Sequence, residues 1–431
     1  MDRVVIYFQF LFIFLFASTV PIVASASQDD DFKTMILEGS NVPEALGYQV
    51  DTLSLAAIHN GIFEPIPFQI DEYNVGGAVY FENWEVPIDG TQGVLDGADK
   101  LLFLHKDAGE QLGNQKSDGK IIAEIQIGRQ ATGFKYVYLL AGSRLRSDEQ
   151  YVRYSAELAR VETDYYDLTY DSANHLIWRN FFLHSFGEKE PFDTMKIRIS
   201  AAGLLMPFAT IELDNEQIIA EPGGVRVGPI RTTTQLKVTM WMFEIPLLTA
   251  SLQLHHYPKS LIYDMRLNIP EIRRSLILNP TAAVSLDGNE LMGTRLLTAA
   301  SSEYIDGAIV DGVMGREEAE IIKRGINSKD NWMYTSTNNN LDLMAYFDFV
   351  GETEVEPLSI VLVDDANIVD QPERFTGQLA NFGIQINDMP LSGVMGFVVS
   401  LYFDEGFEGD PRSFSSTIRT IPDMQVRAFG S

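Results

Sequence analysis

Residues Arg231 to Phe243 read RTTTQLKVTMWMF. The stretch is rich in threonine and valine, which suit a pleated, half-buried strand, and nothing in it breaks one. Working outward, Lys196 to Ser200 (KIRIS) alternates with period two, and Lys259 to Ile269, Trp332 to Thr337, Leu341 to Phe349, Leu358 to Val363 and Val394 to Phe403 continue the pattern. On the N-terminal side, Tyr48 to Ile58, Ile62 to Ile70, Leu101 to His105, Lys120 to Ile127, Phe134 to Ala141 and Tyr151 to Val161 do the same. Between them lie Asp89-Gly90, Asp96-Gly97, Asp118-Gly119, Asp287-Gly288 and Asp311-Gly312, and Gly223-Gly224 reads as a further β-turn. Alternation bounded by turn dipeptides is a strand signal. About twenty such segments predict an all-β protein of antiparallel β-sandwich domains. No period of 20 to 50 residues recurs, which disfavours a propeller or solenoid. One short helix is expected near 316–324 (REEAEIIKR), with an acidic start, a basic end and Gly325 as its stop.

The chain has 431 residues, too many for one small domain and enough to bury a large core. A polar stretch at 142–150 (GSRLRSDEQ) marks a boundary. It divides an N-terminal β-sandwich, 27–145, from a large β-sandwich region, 150–431, built as one unit or two. The first piece, of about 120 residues, is an ordinary domain size. Lys and Arg total 32 against 60 Asp and Glu, a formal net charge of -28. So acidic a surface repels phosphate backbones, and nucleic acid is not an expected partner. Cysteine is absent. That excludes disulfides, thiolate catalysis, Fe–S clusters and Cys-ligated zinc.

Residues Val4 to Val20 form an apolar run behind Arg3, Pro21 breaks it, and Ala24-Ser25-Ala26 supplies an A-x-A site before a polar segment. This is the layout of a signal peptide, residues 1–26, cleaved after Ala26. The competing reading is an uncleaved anchor, but the run is barely long enough to span a bilayer. No later stretch is long and apolar enough to span. The mature protein is expected in the periplasm or outside the cell, with no membrane span.

Between Pro65 and Gly109 the chain reads PIPFQIDEYN and then VPIDGTQGVLDGADKLLFLHKDAG. The segment resembles secreted bacterial proteins whose N-terminal β module carries P-x-Q-x-D, a D-G-rich turn and D-x-L-x-F, some of them associated with polysaccharide breakdown. The matching positions are Pro67, Gln69 and Asp71, then Asp96, Gly97, Asp99, Leu101 and Phe103. The resemblance covers about a tenth of the chain and implies a sandwich module and export. It carries no catalytic residue over.

Asp96 and Asp99, with Asp71, Glu72 and Asp89 nearby, offer hard oxygens for calcium, the one cofactor the sequence suggests. Their bland reading is turn chemistry, because Asp side chains cap turn backbone. His255 and His256 are adjacent on an expected strand, so their side chains point to opposite faces. Trp178 and Asn180, beside His184, fit a sugar cleft, and the competing reading makes the aromatics core. His184, Arg231, His255 and Tyr257 are the candidates for acid–base work or for holding a uronate carboxylate. No G-x-S-x-G, H-E-x-x-H or Gly-rich phosphate loop is present. Three readings follow. The first is carbohydrate-associated binding by an exported envelope protein. The second is a polysaccharide lyase or hydrolase. The third is a structural or accessory partner of another exported protein. A cleft holding His184, His255 or Arg231 with an exposed tryptophan separates the first two, and burial of these side chains favours the third.

Overall fold

The computed structural model describes residues 31–113, 119–130, 133–203, 206–242, 244–268, 277–301, 307–337, 340–350, 358–375, 380–387, 394–407 and 409–429. The expected signal peptide lies outside them. The fold is all-β, with antiparallel strands in five sheets. No described helix is long and apolar enough to cross a membrane.

A three-stranded sheet (Thr34–Glu38, Lys100–Leu104, Gln69–Asp71) packs on a five-stranded one (Met424–Ala428, Lys120–Arg129, Gly133–Ala141, Leu53–His59, Ile62–Pro65). Leu101 and Phe103 fill the core between them, with Met35, Leu55 and Leu139. Leu102 and Leu104 point the other way, into a second cluster with Tyr151, Ile230 and Tyr257. Burial on both faces is why KLLFL is a continuous apolar run rather than an alternating one. The strand Met424–Ala428 comes from the far end of the chain and pairs with Lys120–Arg129. The C-terminus therefore closes a sheet of the N-terminal sandwich, which a linear division of the sequence does not foresee.

The remaining strands share one core. A nine-stranded sheet faces a five-stranded sheet (Phe192–Gly203, Met206–Leu213, Ile277–Gly288, Ser359–Val363, Asn381–Ile386) and a four-stranded one (Val152–Ser155, Arg160–Thr163, Tyr166–Tyr170, Trp178–Leu183). Trp178, Phe181, Leu254, Leu401 and Phe382 meet between them. The stretch that opened the sequence reading is strand Thr232–Met242 of the large sheet. Leu236, Val238 and Met240 enter the core. Thr233 and Gln235 occupy the opposite face and are also buried, because the N-terminal unit covers it.

That covered face is polar and its groups are partnered, as buried polar groups must be. Gln253 donates to the Val79 carbonyl (2.7 Å), accepts from the Val79 N–H (3.0 Å) and donates to Gln235 (2.9 Å). The side-chain amide thus continues the sheet into the loop 72–99. The same loop lays Trp84 and Phe81 over Gly223 and Gly224, where added Cβ atoms would stand 2.8 and 3.1 Å from those rings. The two glycines are not the expected β-turn. They lie inside strand Ile218–Val227, at a register shift between Pro222 and Gly224. Their missing side chains admit the rings.

Two further expectations need correction. Asp287-Gly288 is not a hairpin turn, because both residues pair within strand Ile277–Gly288. The helix Arg316–Arg324 forms as expected, ending at Gly325 in left-handed conformation. A second helix, Pro411–Arg419, joins it, so there is not one short helix among the described residues but two. Asp410 caps the second through the Ser413 N–H and Pro411 occupies its first turn. It is held by Phe414, which stacks on Phe407 with centroids 4.4 Å apart.

Candidate functional site

The sequence candidates separate into three places. Arg231 and Tyr257 meet at the joint between the two units. The Arg231 guanidinium donates to the Tyr257 hydroxyl at 2.8 Å and forms an ion pair with Asp71 of the N-terminal unit. Gln69 stands beside it, donating to Asp71 (2.9 Å) and accepting from the Ile230 and Arg231 N–H groups (3.1 and 2.7 Å). Gln69 and Asp71 of P-x-Q-x-D thus form half of an interdomain lock. Arg231 and Asp71 are both buried. Burial disfavours the Arg231 charge, but the Tyr257 hydroxyl and the Asp71 carboxylate beside it outweigh that and hold the guanidinium protonated.

His255 and His256 point to opposite faces, as their adjacency requires. His255 faces the joint and bonds Thr233 (3.0 Å). His256 faces the core, between the hydroxyls of Tyr166 and Tyr170 at 3.2 and 3.1 Å. Burial pushes both below the usual histidine range, His256 to about 3, so both are neutral in the folded protein. His184 stands apart and exposed on the four-stranded sheet, 2.8 Å from the Asp164 carbonyl and 3.6 Å from the Asp167 carboxylate. The structure does not gather the four candidates around a cavity.

Trp178 is fully buried, and its indole donates to the Tyr263 hydroxyl at 2.9 Å. Simple alternation would put it on the face of Asn180. Instead Tyr170 pairs with Trp178 while Thr169 pairs with Asn180, leaving Arg179 as the extra residue of a bulge. The bulge turns Trp178 onto the face of Phe181 and Leu183, while Asn180 stays outside, bonded to Glu190 (3.3 Å). Trp178 has no face free for a sugar, and it and Asn180 do not share a site.

Asp96 and Asp99 sit at the turn before strand Lys100–Leu104. Their oxygens accept backbone N–H groups: Thr91 on Asp96 (2.6 Å), Asp96 and Tyr73 on Asp99 (2.7 and 3.2 Å). Burial pushes the Asp99 carboxyl up to about 6. This is turn capping. The carboxylates that crowd together among the described residues are Asp193, Asp287 and Glu373. They surround Lys196, buried and 2.7 and 3.1 Å from Asp287 and Glu373, so an internal ammonium already holds the place of a cation. Burial raises Asp287 to about 7. The sequence reading missed this cluster, whose members are scattered along the chain.

It also missed the open site. A groove of about 490 Å³ lies on the outer face of the nine-stranded sheet, beyond the area that the N-terminal unit covers. Its floor carries Ser260, Ile262, Tyr402 and Asp404, and its walls are Phe32 of the first unit and helix Pro411–Arg419. Lys259 stands 4.0 Å from Asp404 and 4.4 Å above the Tyr165 ring. Arg419 lies over Tyr346 and donates to Asp348 (3.1 Å). Lys33 reaches across to the Thr420 carbonyl (2.8 Å). Donors, acceptors and aromatic surface thus alternate along the groove. Its two carboxylates are far apart: Asp348 stands opposite Val398, and Asp404 lies on the same strand as Val398, at position 404. That is about 20 Å at strand rise, well beyond the separations of roughly 5–9.5 Å at which paired carboxylates flank a glycosidic bond.

No protein-family model and no curated protein sequence matches the chain. Among solved structures, it is similar to an alpha-mannosidase from Enterococcus faecalis V583, at 8% identity and a TM-score of 0.46, over 92% of this chain and 44% of that one. It is also similar to a protein of glycosyl hydrolase family 38 from Enterococcus faecalis, at 10% identity and a TM-score of 0.45, over 93% and 46%. The chain spans less than half the length of either.

Proposed function

We propose that the protein is an exported, non-catalytic carbohydrate-binding protein and that the groove beside Lys259 and Asp404 takes a glycan segment. The observation that supports this reading is the groove itself. Hydroxyl, carboxylate, ammonium and aromatic groups lie side by side there on an accessible face, the mixture that sugar hydroxyls and apolar ring faces need. Paired charges on its rim suit a neutral chain better than a polyanion, in keeping with a net charge of -28. Of the four residues that would serve as acid, base or carboxylate clamp, Arg231 and His255 are enclosed in the joint, Tyr257 lines the groove with its hydroxyl held by Arg231, and His184 is exposed outside it. Titrating the mature protein against a glycan panel, with product release monitored in parallel, tests the reading. Binding without product is expected, and Lys259→Ala and Asp404→Ala should each weaken it at least tenfold. Release of product would favour the lyase or hydrolase alternative, and no binding to any glycan would end the proposal.

A second reading, an accessory protein that docks on an exported partner, draws on a different surface. Met292, Ile309, Val313 and Met314 are exposed around the short edge strand Ala308–Ile309. An apolar patch beside a short edge strand suits docking of the strand-addition kind. Strong glycan binding with no partner recovered under crosslinking would set it aside.

A further inference from the structure

Strands Phe192–Gly203 and Ile277–Gly288 are neighbours in the five-stranded sheet, and Lys196 pairs there with Ser285. Met195 enters the core, so Lys196 points to the outer face. Asp287, two places beyond Ser285, shares that face as a diagonal neighbour of Lys196. Residues 370–374 lie over the pair and are clamped to the lysine's own strand on both sides of it. Arg198 donates to Asp370 (2.7 Å), and Arg374 donates to Asp193 (3.1 Å). Between these clamps Glu373 is brought onto Lys196. The ammonium nitrogen stands 2.7 Å from Asp287 Oδ2 and 3.1 Å from Glu373 Oε2, and the three side chains are only 2, 7 and 6% exposed. Lys196 donates to Glu373 and to the Asp370 carbonyl. Its contact with Asp287 Oδ2 is close but misdirected for a hydrogen bond.

One ammonium thus meets two carboxyls. Asp193 does not compete for it, because the Arg374 side chain and the N–H groups of Arg374 and Phe375 already hold that carboxylate. Burial keeps Asp287 protonated up to about 7. The carboxyl beside the amine is then an acid, and Glu373 is the base. An amine, a carboxylic acid and a carboxylate that can carry a proton are the reactants of amide condensation. Holding such groups in contact corresponds to effective molarities of about 10⁵ M or more. The product replaces buried charges with a neutral amide, which an enclosed site favours. The chain has no cysteine, so no disulfide ties these strands.

We infer that Lys196 and Asp287 condense into an intramolecular isopeptide bond, with Glu373 as the proton carrier. Glu373 takes one proton from the ammonium, and the freed amine attacks Cγ of Asp287. The Nζ–Cγ bond forms and the bond from Cγ to the hydroxyl breaks. Glu373 gives its proton to the departing hydroxyl and receives a second from the nitrogen. One water leaves, and Glu373 ends protonated. The structure holds the unlinked pair, in which Asp287 titrates; in the linked chain it does not. This inference is independent of the glycan reading and concerns a different sheet. Intact-mass spectrometry of the full mature chain, incubated at neutral pH, tests it. Wild type should be lighter by one water than its sequence, and a tryptic digest should contain a branched peptide joining Lys196 to Asp287. Lys196→Arg and Asp287→Ala should each restore the full mass. Glu373→Gln, which keeps the reacting pair, should slow conversion at least tenfold, and an equal rate would overturn the role of Glu373. A wild-type chain at full sequence mass would overturn the inference whether or not the variants fold. So would a lighter chain without the branched peptide, because a succinimide at Asp287-Gly288 loses the same water.

Discussion

The nine-stranded sheet presents two halves of one outer face, and they are used differently. Over Thr232–Met242 and its neighbours the N-terminal unit covers the face, and the polar side chains in the joint are partnered: Gln253 to Val79 and Arg231 to Asp71 across it, His255 to Thr233 within the sheet. Beyond Ser260 and Tyr402 the cover ends, and similar chemistry, Lys259 with Asp404 and Arg419 with Asp348, is left facing a groove. The same residue types are structural in one half and available in the other. Burial and partnership decide between these roles, which is why chemistry-bearing residues read from sequence pointed first to the covered half.

The largest effect is expected in the joint. Arg231→Met leaves Asp71 buried without its counter-charge, and should cost about 3–5 kcal/mol in urea unfolding. Replacing both partners, Arg231→Met with Asp71→Leu, should recover most of that loss. Equal loss in the single and double variants would show that the ion pair is not what joins the units. On the inner face, Trp178→Ala removes a fully buried ring and should also cost about 3–5 kcal/mol. A near-neutral result would contradict its place in the core.

Acidity sharpens the comparison with a third region. Lys196 pairs with two carboxylates, Asp287 and Glu373, with Asp193 close by on Arg374, whereas Arg231 faces one carboxylate. Asp287, raised from its ordinary value near 3.8 to about 7, holds a proton when folded that it loses when unfolded. The native state then binds more protons between those values, so this group's contribution falls as pH rises towards 7. Asp99 and Asp107, raised to about 6, act in the same direction over a narrower window. The buried neutral histidines His175, His255 and His256 act oppositely, losing stability as pH falls below about 6.5. Stability should therefore peak near neutrality. Asp287→Asn should remove that carboxyl's opposing contribution and steepen the rise in melting temperature between pH 6 and 7, and an unchanged profile would show that Asp287 does not titrate there. The smallest effect belongs to the open half. Lys259→Ala should change stability by under about 1 kcal/mol, because its ion pair is partly exposed. A larger loss would mean that the groove wall is structural too.

Much of this fold is legible in the sequence because alternation is a local property. It places the strands, sets His255 and His256 on opposite faces and finds the helix Arg316–Arg324. What escapes it is non-local. Arg231 and Asp71 lie 160 positions apart, and no spacing rule joins them. Gly223-Gly224 looks like a turn until Trp84 is seen above it. A one-residue bulge at Arg179 moves Trp178 to the other face, and one residue is all that separates a ligand platform from a core side chain. The helix Pro411–Arg419 did leave a local signal, in the Asp410 cap, Pro411 and the i, i+4 pair Phe414 and Ile418, but serines dilute its apolar stripe.

The division of the outer face is tested most directly by hydrogen exchange of the full chain with and without a glycan that binds in the panel titration. Protection is predicted at residues 257–262, 402–404 and 411–419, with no change at 69–73 or 232–242. Protection centred on 69–73 and 232–242, or none in the groove segments, would contradict it.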